Sequence, residues 1–145
     1  MNDKAWKICS WIAFVLLIAT SIISTALGGC DKQVETAAGG QMPMKCHWAM
    51  IAVALIAWPG LFSNIAATYS KETLTRRIAT FGHAASSLMI LADLYYSIGI
   101  CASAEMQCHT SALIITILCA ITIVLDIVLI ILAKPKSSDE PKMKI

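Results

Sequence analysis

Met44-Lys45-Cys46-His47-Trp48 and Met106-Gln107-Cys108-His109-Thr110 are two copies of one short pattern, Met-x-Cys-His, and each stands directly ahead of a long apolar run. One further cysteine precedes each copy, Cys30 in the first case and Cys101 in the second. Another apolar run precedes each of those cysteines. The chain therefore reads as one unit written twice: apolar helix, cysteine, polar loop, Met-x-Cys-His, apolar helix. Two such units in tandem give four spans and an all-α fold.

Composition agrees with spans that face lipid. The chain has 145 residues, 58% hydrophobic and 14% charged, with a mean hydropathy of +0.74. A soluble domain is about 45–50% apolar and about 25% charged. A hydrocarbon core of ~30 Å needs ~20 apolar residues to cross. Four runs meet that length, at about residues 8–27, 47–68, 78–100 and 110–133. Residues 1–133 thus form one four-helix transmembrane domain, and the charged stretch 134–145 reads as a mobile cytoplasmic tail. The first run is longer than the roughly 7–15 apolar residues of a signal peptide, so it is expected to be a retained helix. Gly28-Gly29 ends it. Pro59 falls inside the second run and predicts a kink there. Ala49, Ala57 and Gly60, and in the third run Gly82 and Ser86, offer small surfaces for close helix contact and for self-association.

The cations set the expected orientation. Lys4, Lys7, Lys71, Arg76, Arg77, Lys134, Lys136, Lys142 and Lys144 fall on one side of this plan, against Lys32 and Lys45 on the other. Basic residues stay inside, so both termini are expected in the cytoplasm and the Cys-His loops outside the cell membrane. No Lys/Arg cluster interleaved with aromatics is present, which argues against a nucleic-acid partner. No phosphate loop and no nucleophile with a base beside it occurs either, so the chain reads as non-enzymatic, in no need of a cofactor.

Cys30, Cys46, Cys101 and Cys108 all fall on the expected outer side, where disulfides persist. Four cysteines allow three pairings. The repeat favours Cys30–Cys46 and Cys101–Cys108, one staple per hairpin, each worth ~2–4 kcal/mol. Three other readings stay open. Cys46, His47, Cys108 and His109 make a two-thiolate, two-imidazole set for zinc or copper, with thioethers at Met42, Met44 and Met106 favouring Cu(I); alternatively, His47 and His109 alone face each other as haem ligands. The last is thiol–disulfide exchange, weakened because the chain has no Cys-x-x-Cys to tune a thiolate.

Two carboxylates fall within spans, and an ionisable group at such depth is a functional hypothesis by default. Asp93 is about 9 Å below Gly99, and Asp126 about 24 Å below Thr110. Asn64 follows His47 by the same interval as Asp126 follows His109. Asn64, His83 and Asp126 are therefore expected in one polar cluster in the inner half of the bundle. Thr20 and Ser21 stand level with Asp93, with Tyr95 and Tyr96 nearby.

The four-span plan and the two motifs, Met44-Lys45-Cys46-His47-Trp48 and Met106-Gln107-Cys108-His109-Thr110, resemble a family of small four-span prokaryotic membrane proteins of uncharacterised function. Its hallmark is a repeated, outward-facing Met-x-Cys-His at the outer ends of helices 2 and 4. The resemblance brings no settled activity. It implies occurrence beside membrane transport systems, and hence an accessory role. Loop 1 is longer here than loop 3, so the two outer halves need not be equivalent. The expectation is a bundle of two tandem helical hairpins in the lipid bilayer, acting as an accessory subunit or assembly factor of a membrane transport complex. The alternatives are a metal- or haem-handling protein and a membrane thiol–disulfide oxidoreductase.

Overall fold

A computed structural model describes residues 3–27, 33–35, 37–101 and 107–133. Four long helices dominate: α1 (Asp3–Ala26), α2 (Lys45–Tyr69), α3 (Thr73–Ala92) and α4 (Gln107–Leu132). A π-helical turn over Asp93–Ser97 extends α3. All four, with that extension, are long and apolar enough to cross a membrane. Helix α1 packs on α2, α2 on α3, α3 on α4 and α4 on α1, which closes a four-sided bundle. The tail 134–145 and the loop residues 28–32 and 102–106 lie outside the described residues.

The bundle distributes polarity in the way lipid requires. Ile8, Val15 and Ile22 of α1, Leu55, Trp58 and Phe62 of α2, and Leu113, Val124 and Ile131 of α4 are exposed. Buried positions include Ser10, Thr20, Asn64, His83, Thr122 and Asp126. Outside a bilayer this would leave apolar faces in water and desolvated polar groups inside. In hydrocarbon the outward faces are solvated, and inward polar side chains bond across helices.

Small residues set the helix spacing. A Cβ on Gly60 would stand 2.8 Å from Leu17 Cδ2 and 2.8 Å from Ser86 Cβ, so α1 and α3 both close on α2 there. Ser63 of α2 donates to the Ala79 carbonyl of α3 at 2.7 Å, and a Cβ on Gly82 would meet Ser63 Oγ. Helix α2 continues through Pro59. Gly60→Val is expected to destabilise the bundle by about 1–3 kcal/mol, the range for overpacking. The check is denaturant unfolding in detergent micelles, and parental stability would contradict this close approach.

Helix α1 starts at Asp3, ahead of the expected residue 8, and three further features differ from the sequence-based expectation. Loop 1 carries a short antiparallel hairpin, β1 (Gln33–Glu35) on β2 (Gln41–Pro43), with Val34 opposite Met42. Its turn uses Gly39 at φ +78°, a conformation glycine adopts without a Cβ penalty. Helix α3 starts at Thr73 rather than Ile78 because the two arginines have work inside the helix. Arg76 Nε donates to the Ser70 carbonyl at 2.7 Å and its guanidinium lies 4.8 Å from the centre of the Trp6 ring. Arg77 Nε donates to the Ala133 carbonyl at 2.9 Å, placing a cation at the carbonyl end of α4, where the helix dipole favours it. Finally, α3 does not run evenly to Ile100. Gly99 N–H donates to the Asp93 carbonyl at 3.0 Å, and Gly99 takes φ +74°, which turns the chain back over the bundle end.

Candidate functional site

That turn delivers Cys101 to the bundle end where α2 and α4 begin. Cys46 is the second residue of α2 and Cys108 the second of α4. The shared register of the two Met-x-Cys-His copies therefore brings both sulfurs inward at one level. Cys46 and Cys108 are 0% exposed, and Cys101 is half-buried. The sulfur atoms of Cys46, Cys101 and Cys108 all lie within 4.8 Å of one another. Met44, the residue before α2, places its thioether sulfur 4.0 Å from Cys101 Sγ. Cys46 and Cys108 belong to the buried apolar cluster that also holds Leu94, Ala112 and Ile115, and Cys101 and Met44 pack against that cluster. The result is an all-sulfur pocket in apolar surroundings at one rim.

The imidazoles lie outside it. His109 Nε2 is 2.6 Å from the Cys101 carbonyl oxygen, so the ring donates there and holds the Cys101 turn in place. His47 is exposed and meets Trp48 edge-on, with ring centroids 5.8 Å apart. The anticipated set of Cys46, His47, Cys108 and His109 is thus not what gathers. Cys101 takes the place given to the imidazoles. The two histidines hold different partners, an arrangement unlike a facing pair on haem.

The staple between Cys101 and Cys108 is also not formed: both are thiols. A disulfide needs about 2.05 Å between sulfurs, and here a third sulfur shares the same pocket. Cys30, the expected partner of Cys46, lies outside the described residues, as does Met106. Met42 is exposed on β2. Sequence reasoning missed Cys101 as a member of the cluster because it assigned that residue to a staple within its own hairpin. Gly99 was the available signal, since a glycine just past a helix marks a reversal.

Burial, and next the neighbouring Cys46 and Cys108, push the Cys101 thiol up to about 12 from an ordinary value of 9.0. The charged form is disfavoured, so the thiol stays protonated at neutral pH. Only the thiolate reacts with alkylating agents. At pH 8 the thiolate fraction falls well below that of an ordinary cysteine, and labelling should accelerate about tenfold per pH unit. Mass spectrometry of the Cys101 peptide after timed iodoacetamide treatment checks this. An ordinary rate at pH 8 would contradict the desolvated setting.

A second group sits toward the opposite bundle end. His83 Nδ1 of α3 and Asp126 Oδ2 of α4 are 2.7 Å apart, and both side chains are 0% exposed. Asn64 bonds toward α1 instead, its Oδ1 accepting from Ser10 Oγ at 3.2 Å. Thr68 completes that trio, 2.7 Å from Ser10 Oγ. Asp93 is buried, with Oδ2 unpartnered among the described residues. Thr20 does not serve it, since the Thr20 hydroxyl donates to the Leu16 carbonyl at 3.0 Å. Tyr95 reaches Thr116 at 2.8 Å, and Tyr96 is 90% exposed.

Neither the curated proteins nor the solved structures give a match to this chain. A family model does, and it spans the bundle from the third turn of α1 to just past the end of α4. Residues 11–133 match the domain of unknown function DUF4418, and the chain belongs to that family.

Proposed function

We propose that this protein is a membrane-embedded handler of a soft metal ion, Cu(I) in class, held by Cys46, Cys101 and Cys108 with the Met44 thioether alongside. One observation carries the reading: three cysteine sulfurs from three different segments lie within 4.8 Å of one another. A metal–sulfur bond of about 2.3 Å sets three trigonal sulfurs about 4 Å apart, so closing on an ion asks for shifts of under about 1 Å. Thiolate and thioether donors select soft ions. Zinc prefers a closed set of four ligands, whereas the donors here are three thiols and a thioether.

The cation bias of the sequence puts this sulfur rim outside the cell membrane and both termini in the cytoplasm. In that setting the protein serves as a small accessory subunit that receives or delivers the ion for a larger membrane transport complex. Thiol–disulfide exchange is the weaker reading of the same pocket, because a thiol pushed up to about 12 is a poor attacking group.

The test is anaerobic Cu(I) titration of the full-length protein against a chromophoric chelator. One ion per chain is expected, with loss of binding in Cys101→Ser. Absence of stoichiometric uptake, or parental affinity in Cys101→Ser, would overturn the proposal.

A further inference from the structure

The bond between His83 and Asp126 engages one atom of each side chain. The other ring nitrogen, His83 Nε2, and the other carboxyl oxygen, Asp126 Oδ1, are buried with no hydrogen-bond partner among the described residues. A buried polar atom left unpaired costs about 1–3 kcal/mol, and no water is at hand in hydrocarbon to relieve it. Two such atoms on one bonded pair mark two open lone-pair positions, each able to accept one hydrogen.

We propose that His83 and Asp126 together form a proton-binding site in the half of the bundle where α1 begins and α4 ends. With a proton on Nδ1 and the carboxylate ionised, the pair carries a net charge of minus one. A proton added at Nε2 gives imidazolium facing carboxylate. A proton added at Oδ1 gives neutral imidazole facing carboxylic acid. Both products have zero net charge, the bond between Nδ1 and Oδ2 survives in each, and nothing is oxidised or reduced. Release returns the proton from the same positions.

Buried hydroxyls, rather than competing charges, flank the pair. Thr80 and Thr122 lie one helical turn from His83 and Asp126 on the same faces, and both are buried. Asn64 stands as far from the start of α2 at Lys45 as Asp126 does from the start of α4 at Gln107, which brings the Ser10–Asn64–Thr68 trio to this half. Thr80 Oγ1 donates to the Arg76 carbonyl at 2.8 Å and Thr122 Oγ1 to the Leu118 carbonyl at 2.8 Å, so neither adds a charge beside the pair. The titratable groups of the packed elements are engaged elsewhere. On α1, Cys9 packs at the Trp6–Leu129 cluster and Lys7 is exposed. On α2, Tyr69 is exposed. On α3, Arg76 covers Trp6 and Arg77 holds Ala133. On α4, Cys119 bonds with Thr20.

This inference is independent of the metal reading, and its test needs no metal. Full-length protein labelled with ¹⁵N-histidine in lipid bilayers is followed by solid-state NMR across the pH range in which it stays folded. Infrared pH-difference spectra of the carboxyl stretch are recorded in parallel. Expected is a one-proton step at the pair, seen at the His83 ring nitrogens or the Asp126 carboxyl. It should vanish in Asp126→Asn while the His47 and His109 signals match those of the parent. Should Asp126→Asn not fold, His83→Gln and the parental spectra decide. Invariant His83 and Asp126 signals, or a step undiminished in the variants, would overturn the proposal.

Discussion

Cys101→Ser is expected to weaken Cu(I) binding by more than about 100-fold, because loss of an outer-shell partner alone costs about 10–100-fold and a direct sulfur ligand is worth more. The hydroxyl that replaces it is a hard donor of low affinity for a soft ion. Cys46→Ser and Cys108→Ser should behave alike, since the three sulfurs share one pocket within 4.8 Å. His109→Ala tests the layer behind the ligands. Its Nε2 holds the Cys101 carbonyl at 2.6 Å, so its loss should cost about 10–100-fold without removing a ligand. Cys119→Ser is the control: it stands about 16 Å along α4 from Cys108 and should leave affinity unchanged. Uptake must displace the Cys101 proton. Since that thiol is pushed up to about 12, affinity should climb with pH throughout the neutral range and beyond. Chelator competition at two pH values measures both effects. Equal affinity in Cys101→Ser and Cys119→Ser would remove the site.

What could be read before any coordinates followed from long, regular features. Four apolar runs of spanning length need no tertiary information. The convergence of Cys46 and Cys108 follows from a repeat that starts α2 and α4 at the same register. Counting at 1.5 Å per residue brings His83 to the level of Asp126, and the structure joins them at 2.7 Å. What stayed hidden depends on local reversals and cross-helix choices. Cys101 reaches the sulfur pocket only because the π turn and Gly99 fold the chain back, and neither has a periodic signature. The β1–β2 hairpin is too short for alternation to register. Ser10 carries no pattern of its own, yet it draws Asn64 toward α1, away from a bond that register alone suggested with Asp126. Arg76 and Arg77 stand just ahead of the third expected span, 78–100, and entered the sequence reading only as cations that set the orientation. They are helical residues because backbone carbonyls at Ser70 and Ala133 receive them.

His83→Leu is expected to destabilise the bundle by about 3–5 kcal/mol, the cost of breaking a buried pair by removing one partner. Leucine restores the apolar volume, so the loss isolates the electrostatic part. The magnitude discriminates between two pictures of the same bond. An ordinary interhelical hydrogen bond in a membrane is worth about 0.6 kcal/mol, whereas a carboxylate stranded at 0% exposure without its imidazole falls in the larger range. Asp126→Leu should cost less, about 1–3 kcal/mol, because the orphan it leaves is an imidazole nitrogen that need not carry charge. The double variant His83→Leu/Asp126→Leu should recover most of the His83→Leu loss, since replacing a buried pair with packed apolar groups is often neutral or stabilising by about 1–4 kcal/mol. Reversible unfolding in mixed micelles across this cycle gives the coupling directly. Strict additivity would mean that the 2.7 Å contact contributes nothing to stability. Strong coupling combined with a proton step that disappears in the double variant would mean that the bundle tolerates an apolar pair here. The chain would then be carrying His83 and Asp126 for a reason other than holding α3 to α4.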